Sequence, residues 1–571
     1  MRLGDLINGF DIRPAAPIPP TWLDGRICDL TEDSRTVLPG SLYIARPGEK
    51  ADGRAFIPDA IKAGAAAILL QDSPDAATFL TPRSPCLLAK NLSFAMAQVA
   101  ERFYGSPSSR LALVGVTGTN GKTTITYLVH QILNSLGIRC GLIGTVAIDD
   151  GAEMAPASMT TPPALELSRT LARMLEAGCR AAVLEVSSHS LHQHRVGTLN
   201  FDVGVFTNLT GDHLDYHKTM DAYADAKAML FTMLPGADQG GVAIVNADDP
   251  ASARMIRHSR AAIWQTSIAA PGRSTGAPLG LGQSAESIRA IVQRTDRFGS
   301  DLRVTAPWLG TADAADMRVP LVGQHNVMNA LQAASAAAAV VSGAIRKPAL
   351  ASAARPGPLR TPADLLRAVA RCAAPPGRLQ CLTSPADPIS VYVDYAHSDD
   401  ALRTVLRVLR DAMRSADPSA GSGPALTVVF GCGGDRDATK RPRMGAVAWE
   451  LADRVCLTSD NPRTEDPMSI IREILSGIPG GAGTPPSDLD SARLIVEPDR
   501  ERAIVRIIRS ARAGDVVLIA GKGHEDYQIL PAGPVDSHGR AIRTITRHFD
   551  DREVAEAALR LRGITPAPRA R

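Results

Sequence analysis

The sequence predicts an α/β protein of three consecutive α/β domains. Three observations carry this prediction. Short apolar, β-branched runs alternate with segments whose apolar residues fall at helical spacing. Glycine-rich or polar clusters follow directly on those runs, where open parallel sheets place their ligands. The length, 571 residues, exceeds what one core holds, so two to four domains are expected.

The first region, 1–108, has strand-like runs at 40–45, 65–70 and 86–89, and helical segments near 56–63 and 92–103. The stretch GSPSSR at 105–110 reads as a boundary. The second region, 109–376, opens with LALVGVTGTNGKTT at 111–124. An apolar run ends there in a glycine turn. Ile125, Leu128, Val129, Ile132, Leu133 and Leu136 then recur at helical spacing. Strand, turn, lysine and helix N-terminus together make a phosphate cradle. Backbone N–H groups and the helix dipole meet the anion along Gly118, Thr119, Asn120, Gly121, Thr123 and Thr124, and Lys122 adds a point charge. The Thr123 hydroxyl is placed to ligate Mg²⁺. A bound nucleoside triphosphate is expected, on a central parallel sheet of the P-loop ATPase type. Val116 stands where the full Walker pattern has glycine. Further buried parallel strands are expected at 181–186, 202–208 and 241–246. The Pro-, Ala- and Arg-rich stretch 345–362 reads as an insertion or linker. The third region, 377–571, is expected to be Rossmann-like, with strands at 389–394, 425–430, 454–458 and 515–520. Between the first two lies a helix with Leu402, Val405, Leu406 and Leu409 on one face and Ser398 as N-cap.

Composition narrows the function. The net charge of +3 gives no broad nucleic-acid surface. The eight cysteines are scattered without a CxxC pair, which fits a reducing compartment better than disulfides or structural zinc. The first residues lack a signal-peptide core, and no apolar run reaches membrane-spanning length. A cytoplasmic protein without nucleic-acid partner or membrane insertion is expected.

Five further clusters sit at expected strand ends. Glu185-Val-Ser187-Ser188-His189 offers a carboxylate for Mg²⁺, or a solvated glutamate beside a capping serine. The run from Thr207 to His217 holds Asp212, His213, Asp215 and His217, a metal or phosphate site with weaker spacing than a zinc motif. Gly433-Gly434-Asp435-Arg436-Asp437 lets a backbone approach a ligand, with cations that can hold carboxylate or form a solvated loop. Asp460-Asn461-Pro462-Arg463 offers a planar fork for carboxylate. Gly521-Lys522-Gly523-His524-Glu525 follows the last strand. Any one of these could be an ordinary turn.

Taken in order, GTNGKTT, EVSSH, TNLTGDHLDYH, AYADAKAMLF around Lys227, GQHNVMN, DYAHS, GCGGDRD, DNPR and GKGHE resemble the Mur ligase family. The resemblance runs from Asp33-Ser34-Arg35 to Glu525 and is nearest to the diaminopimelate-adding branch. It implies a cytoplasmic, monomeric ligase of peptidoglycan precursor synthesis. That enzyme would use ATP, Mg²⁺, UDP-N-acetylmuramoyl-L-alanyl-D-glutamate and meso-2,6-diaminopimelate, and would proceed through an acyl phosphate. By resemblance Lys122, Glu185, His213 and Lys227 are catalytic. Thr123, Glu185, His213 and Lys227 hold metal, the last as a carbamate made from CO₂; read alone, Lys227 is a helix-surface lysine. Asn326, Asn329, Arg378 and Asp394 are implied to take the rest of ATP, with helix capping the alternative for the two asparagines. Ser34, Arg35, Thr160, Thr161, Ser187 and Arg195 are implied to take the UDP-muramoyl dipeptide. For Thr160 and Thr161 a helix entry before Pro163 competes. Arg436, Asp460, Asn461, Pro462, Arg463, Gly521 and Glu525 are implied to take diaminopimelate. The resemblance makes 1–108 the UDP-sugar domain, 109–376 the ATP domain and 377–571 the amino-acid domain. Other readings are a lysine-adding Mur ligase, a folylpolyglutamate synthase-like amide ligase and, from another class, a non-catalytic P-loop regulator.

Overall fold

The computed structural model describes the chain except residues 18, 49–51, 80–84, 270–285, 311–313, 344, 346, 352–360, 417–422, 482–490, 537 and 568–571. Two compact units divide it. One comprises Met1–Thr266, Ala277–Ser287 and Gln332–Thr361; the other comprises Ser267–Gly276, Ile288–Leu331 and Pro362–Arg571.

The first unit contains two sheets. The smaller runs Ile12–Pro14, Cys86–Ala89, Ala67–Gln71, Ser41–Ala45, Asp29–Thr31 in spatial order. Its last four strands are parallel and the first is antiparallel. The larger has a parallel core in the order Val242–Asn246, Val203–Phe206, Ala112–Thr117, Ala181–Glu185, Cys140–Ile143. Every residue of Ala112–Thr117 is buried, as an unbroken apolar run requires when helices cover both faces. The helix Lys122–Ser135 buries Ile125, Leu128, Val129, Ile132 and Leu133, the stripe the periodicity predicts.

In the second unit a six-stranded sheet runs Gln380–Cys381, Ser390–Asp394, Val516–Ala520, Leu426–Phe430, Arg454–Leu457, Leu494–Val496. All pairings are parallel except the first. The four expected strands are present within a residue or two. Ser398 accepts the N–H of Ala401 at 3.3 Å, as an N-cap should, at the head of Asp399–Ala416. An antiparallel hairpin, Tyr527–Val535 with Ala541–His548, follows the sheet. A second antiparallel group, Glu286–Asp296, Gly299–Thr305 and Ala315–Val319, is an addition to the elements expected.

The expected insertion at 345–362 lies largely outside the described residues. Its Lys347 is described: Nζ donates to the Ser108 carbonyl at 3.2 Å and sits 3.3 Å from Asp202 Oδ1. Among the described residues no helix is long and apolar enough to cross a membrane.

Candidate active site

The strand Ala112–Thr117 runs into Gly118 at φ 146°, and Gly121 at φ 88° leads into the helix. The turn is clamped by the end of the neighbouring strand. Thr119 N–H donates to Asn208 O at 2.9 Å and Asn120 N–H to Asn208 Oδ1 at 3.0 Å. Thr207 Oγ1 donates to Asn120 O at 2.6 Å. Lys122 Nζ folds onto its own loop, donating to Gly118 O at 2.9 Å and Thr119 O at 2.8 Å. Thr123 and Thr124 are buried in the first turn.

Glu185 pairs in register with Val116 at the cradle's edge. Only 1% of it is exposed, which rules out a solvated glutamate. Its two oxygens accept the N–H of Thr145 at 2.8 Å and the Thr145 hydroxyl at 3.0 Å. Ser187 does cap a helix, Ser188–His192, by accepting from Ser190 N–H at 3.1 Å. Thr160 and Thr161 are not helix caps. Thr161 Oγ1 donates to Glu185 O at 2.8 Å, and Thr160 Oγ1 accepts from Thr145 Oγ1 at 3.0 Å. Arg195 donates to Thr161 O at 2.8 Å and is half-buried; that burial lowers its pKa. Ser34 and Arg35 lie in the loop between the strands Asp29–Thr31 and Ser41–Ala45, where Arg35 forks onto Asp33 at 2.7–3.2 Å. That pairing holds the Asp33 carboxyl down at about 2.

Lys227 overturns the surface-lysine alternative. On the helix Met220–Thr232 it is 1% exposed, with Nζ donating to Gly118 O at 2.8 Å and lying 4.3 Å from the Tyr223 ring centre. Two lysines therefore share one carbonyl. Burial, and then the Lys122 charge, bring the Lys227 pKa down to about 6, with Asp212 opposing. Tyr223 OH is 3.2 Å from Thr119 Oγ1. His213 is exposed, at φ 53°, with its ring 4.9 Å from His189 and 6.0 Å from Tyr223.

These donors fit Mg²⁺. Among the described residues no group of three or more His, Cys, Asp or Glu could hold a metal unaided. Mg²⁺ needs none: it favours one or two protein oxygens with phosphates and water completing the octahedron. Glu185 keeps unused lone pairs on both oxygens, and Thr123 adds a hydroxyl. The Lys227 ammonium is only a donor, so it fits the metal only if it becomes an anion.

In the second unit Asn326 and Asn329 begin the helix Gln324–Val341. Both are buried; Asn329 Nδ2 donates to Asn326 Oδ1 at 3.1 Å and Asn326 Nδ2 to Val322 O at 2.9 Å, so neither side chain caps the helix. Asp394 ends a strand and accepts the N–H groups of Leu379 at 2.6 Å and Ala396 at 2.8 Å; burial raises its pKa, with Arg378 opposing. The Arg378 guanidinium lies 4.8 Å from the Tyr395 ring centre, and its buried Nε has no hydrogen-bond partner.

The residues assigned to diaminopimelate gather at neighbouring strand ends. Arg463 Nη1 donates to Gly434 O at 2.7 Å, and a Cβ built on Gly433 would lie 3.0 Å from that Nη1 and 3.8 Å from Arg436. Asn461 Nδ2 donates to Glu525 Oε2 at 2.9 Å. Gly521 abuts Asp460, whose buried Oδ1 has no hydrogen-bond partner. Cations for carboxylates and acids for ammonium thus stand together, as an amino acid with charges at both ends requires.

Thr207 and Asn208 lie inside the clusters named from the sequence without an assigned role, as do Tyr223 and Lys522, the last fully buried with Nζ 3.4 Å from Glu525 Oε2, and Thr145 lies outside them. The signal for the first two was their place directly after a strand. For Lys522 it was its place inside GKGHE.

The chain resembles known proteins along nearly its whole length. Residues 27–104 match the Mur ligase family catalytic domain, 116–338 the Mur ligase middle domain and 377–523 the Mur ligase glutamate ligase domain. The chain is 40% identical over 549 residues to the UDP-N-acetylmuramoyl-L-alanyl-D-glutamate–2,6-diaminopimelate ligase of Synechococcus sp. (strain WH7803), covering 95% of this chain and 97% of the relative. It is 40% identical over 542 residues to the protein of the same name from Pseudomonas aeruginosa, covering 95% and 96%. A solved structure of a ligase of that name aligns with TM-score 0.64 at 29% identity, over 99% of this chain and 100% of that one. The chain belongs to the Mur ligase family.

Proposed function

We propose that this chain is the ATP-dependent ligase that joins meso-2,6-diaminopimelate to the D-glutamate γ-carboxylate of UDP-N-acetylmuramoyl-L-alanyl-D-glutamate. The observation that carries the reading is the pairing of two chemistries. A phosphate cradle stands beside a buried glutamate, and the same chain holds an arginine–acid pocket suited to a doubly zwitterionic amino acid. The names of the near-full-length relatives support it.

A carboxylate is a poor electrophile, and phosphorylation gives it a leaving group. The γ-carboxylate oxygen attacks the γ-phosphorus of ATP and ADP leaves. The diaminopimelate amine then attacks the acyl carbon; phosphate departs and the amine loses a proton. Such transfers need positioning and charge neutralisation above all. The N–H groups at the helix N-terminus and the Lys122 ammonium, released from its own loop, take the phosphates, while those of Thr119 and Asn120 hold the loop to Asn208. Thr123, Glu185 and His213 would hold Mg²⁺, which would neutralise the charge developing on the transferred phosphoryl group. Asn326, Asn329, Arg378 and Asp394 take the nucleoside.

Lys227 is read as a carbamate. The lone pair of the neutral Nζ amine bonds the carbon of CO₂ and one proton leaves, turning the amine into an anionic, carboxylate-like ligand. The support is that burial, and then the Lys122 charge, lower the Lys227 pKa to about 6, which favours the neutral amine able to attack CO₂. Thr160, Thr161, Ser187 and Arg195, with Ser34 and Arg35, take the UDP-muramoyl dipeptide. Arg463 and Arg436 take the distal carboxylate, and Asp460, Asn461 and Glu525 take ammonium, with Pro462 and Gly521 shaping the pocket. The domains are 1–108 for the UDP-sugar, 109–376 for ATP and 377–571 for the amino acid. A monomer working in the cytoplasm completes the reading.

The test is phosphate release. It should require ATP, the UDP-muramoyl dipeptide and diaminopimelate together. Release indifferent to the dipeptide and the amino acid would favour a nucleotide-binding regulator.

A further inference from the structure

Behind the amino-acid pocket lies a clasp, anchored by a buried arginine, that none of the reaction steps uses. Arg441 stands on the helix Lys440–Leu451, and 1% of its side chain is exposed. Its Nη1 and Nη2 donate to the two oxygens of Glu465 at 2.9 and 3.0 Å. Nη2 also donates to the Gly433 carbonyl at 3.1 Å. Glu465 Oε1 accepts the Asp435 N–H at 2.5 Å. The Asp435 carboxylate accepts in turn from Thr464, from its hydroxyl at 2.7 Å and its N–H at 3.2 Å.

The loops 431–437 and 460–465 are therefore stitched together by side chains from both. They are pressed so close that a Cβ on Gly434 would stand 1.9 Å from Pro462 O. The same stitching holds two non-glycine residues in the left-handed region, Asp435 at φ 52° and Arg463 at φ 54°. Side-chain-bearing residues hold that conformation when their surroundings over-determine it. Arg463 then donates to Gly434 O at 2.7 Å. Its guanidinium is aimed from a backbone that the clasp fixes.

We propose that Arg441 and Asp435 are positioning residues for Arg463, and that through it they set the preference for an amino acid bearing a distal carboxylate over one lacking it. Bidentate recognition of a carboxylate is a geometric match, so a displaced fork loses discrimination before it loses charge. The inference rests on the reading of Arg463 under the proposed function.

The experiment uses the full chain with Asp435→Gly and Arg441→Lys. Glycine accommodates the left-handed backbone without strain and removes the carboxylate together with its Cβ. Lysine keeps the charge and removes the fork. For each, kcat/KM is measured with diaminopimelate and with L-lysine, together with KM for ATP and a thermal melt. The expected result is a KM for diaminopimelate raised about tenfold or more, with the preference over lysine falling by a similar factor. KM for ATP should stay within about twofold. Asp435 is exposed, so Asp435→Gly carries the test should the buried Arg441→Lys fail to fold. A folded Asp435→Gly enzyme that keeps the wild-type preference overturns the proposal, and so does one whose KM for ATP rises in parallel. A wild-type enzyme that ligates lysine as readily as diaminopimelate overturns the reading of Arg463 instead.

Discussion

Replacing Gly118 by alanine should disable the phosphate cradle for two separable reasons. The new Cβ would stand 1.8 Å from Thr207 Oγ1, 3.0 Å from Thr207 Cβ and 3.1 Å from Asn208 N. Thr207 cannot swing aside freely, because its hydroxyl holds Asn120 O at 2.6 Å. Giving up that bond costs about 1 kcal/mol. The backbone at φ 146° suits glycine and adds about 1–3 kcal/mol for any other residue. Together these disfavour the native loop by about 2–4 kcal/mol, or roughly 30- to 1,000-fold in ATP affinity. Calorimetric titration of Mg-ATP into wild type and Gly118→Ala measures this directly, with a thermal melt to confirm folding. The double variant Gly118→Ala/Thr207→Ala removes the Oγ1 clash but also the Thr207–Asn120 hydrogen bond, and it keeps the backbone strain, so it should bind ATP about as weakly as Gly118→Ala. Wild-type ATP affinity in a folded Gly118→Ala protein would refute this reasoning.

Lys227→Ala should nearly abolish turnover while the melt stays close to wild type; near-normal turnover removes Lys227 from the mechanism. With Lys227 titrating near pH 6, bicarbonate should reactivate CO₂-depleted enzyme above that pH, and the effect should fade below it as the amine protonates. Bicarbonate activation that strengthens on acidification would contradict the sign. Arg463→Ala should cut the preference for diaminopimelate over lysine by roughly 2 kcal/mol or more, read as a ratio of kcat/KM values; an unchanged ratio would reassign the distal carboxylate. Asp551→Ala strands Arg500, whose guanidinium is fully buried and donates to both Asp551 oxygens at 2.7 Å. A loss of about 3–5 kcal/mol is expected in urea unfolding, and a loss below about 1 kcal/mol would show that the guanidinium finds other partners.

The buried strands were legible because each is covered on both faces. Ala112–Val116 and Val516–Ala520 carry no polar side chain, so the runs announce themselves. Glu286–Asp296 was missed for the converse reason. Most of its residues are exposed or only partly buried, and its arginines break the apolar signal. The Ser187 cap was readable because it reaches only three residues ahead. The Thr207 and Asn208 clamp on Asn120 spans 87 and 88 positions, and no local pattern encodes it. Lys227 shows the same limit. Its helix has apolar and polar residues on mixed sides, and only the packed sheet and Gly118 O reveal that its ammonium is inside.

The contact of Lys347 with Ser108 joins residues 239 positions apart. Its other partner, Asp202, has a carboxyl that burial pushes up to about 6, with Lys347 as the opposing charge. During synthesis the strand carrying Leu113, whose N–H donates to Asp202 at 2.8 Å, can pair long before that cation exists. A chain emerging from the ribosome therefore builds its central sheet around a carboxyl awaiting its counter-charge. Contacts of such separation close late, because the intervening loop must first surrender its entropy. The Lys347 contact is then a late one, made onto a Ser108 already held by Glu101 and Asn200, and a chain truncated before Lys347 should keep that junction while leaving Asp202 without its counter-charge.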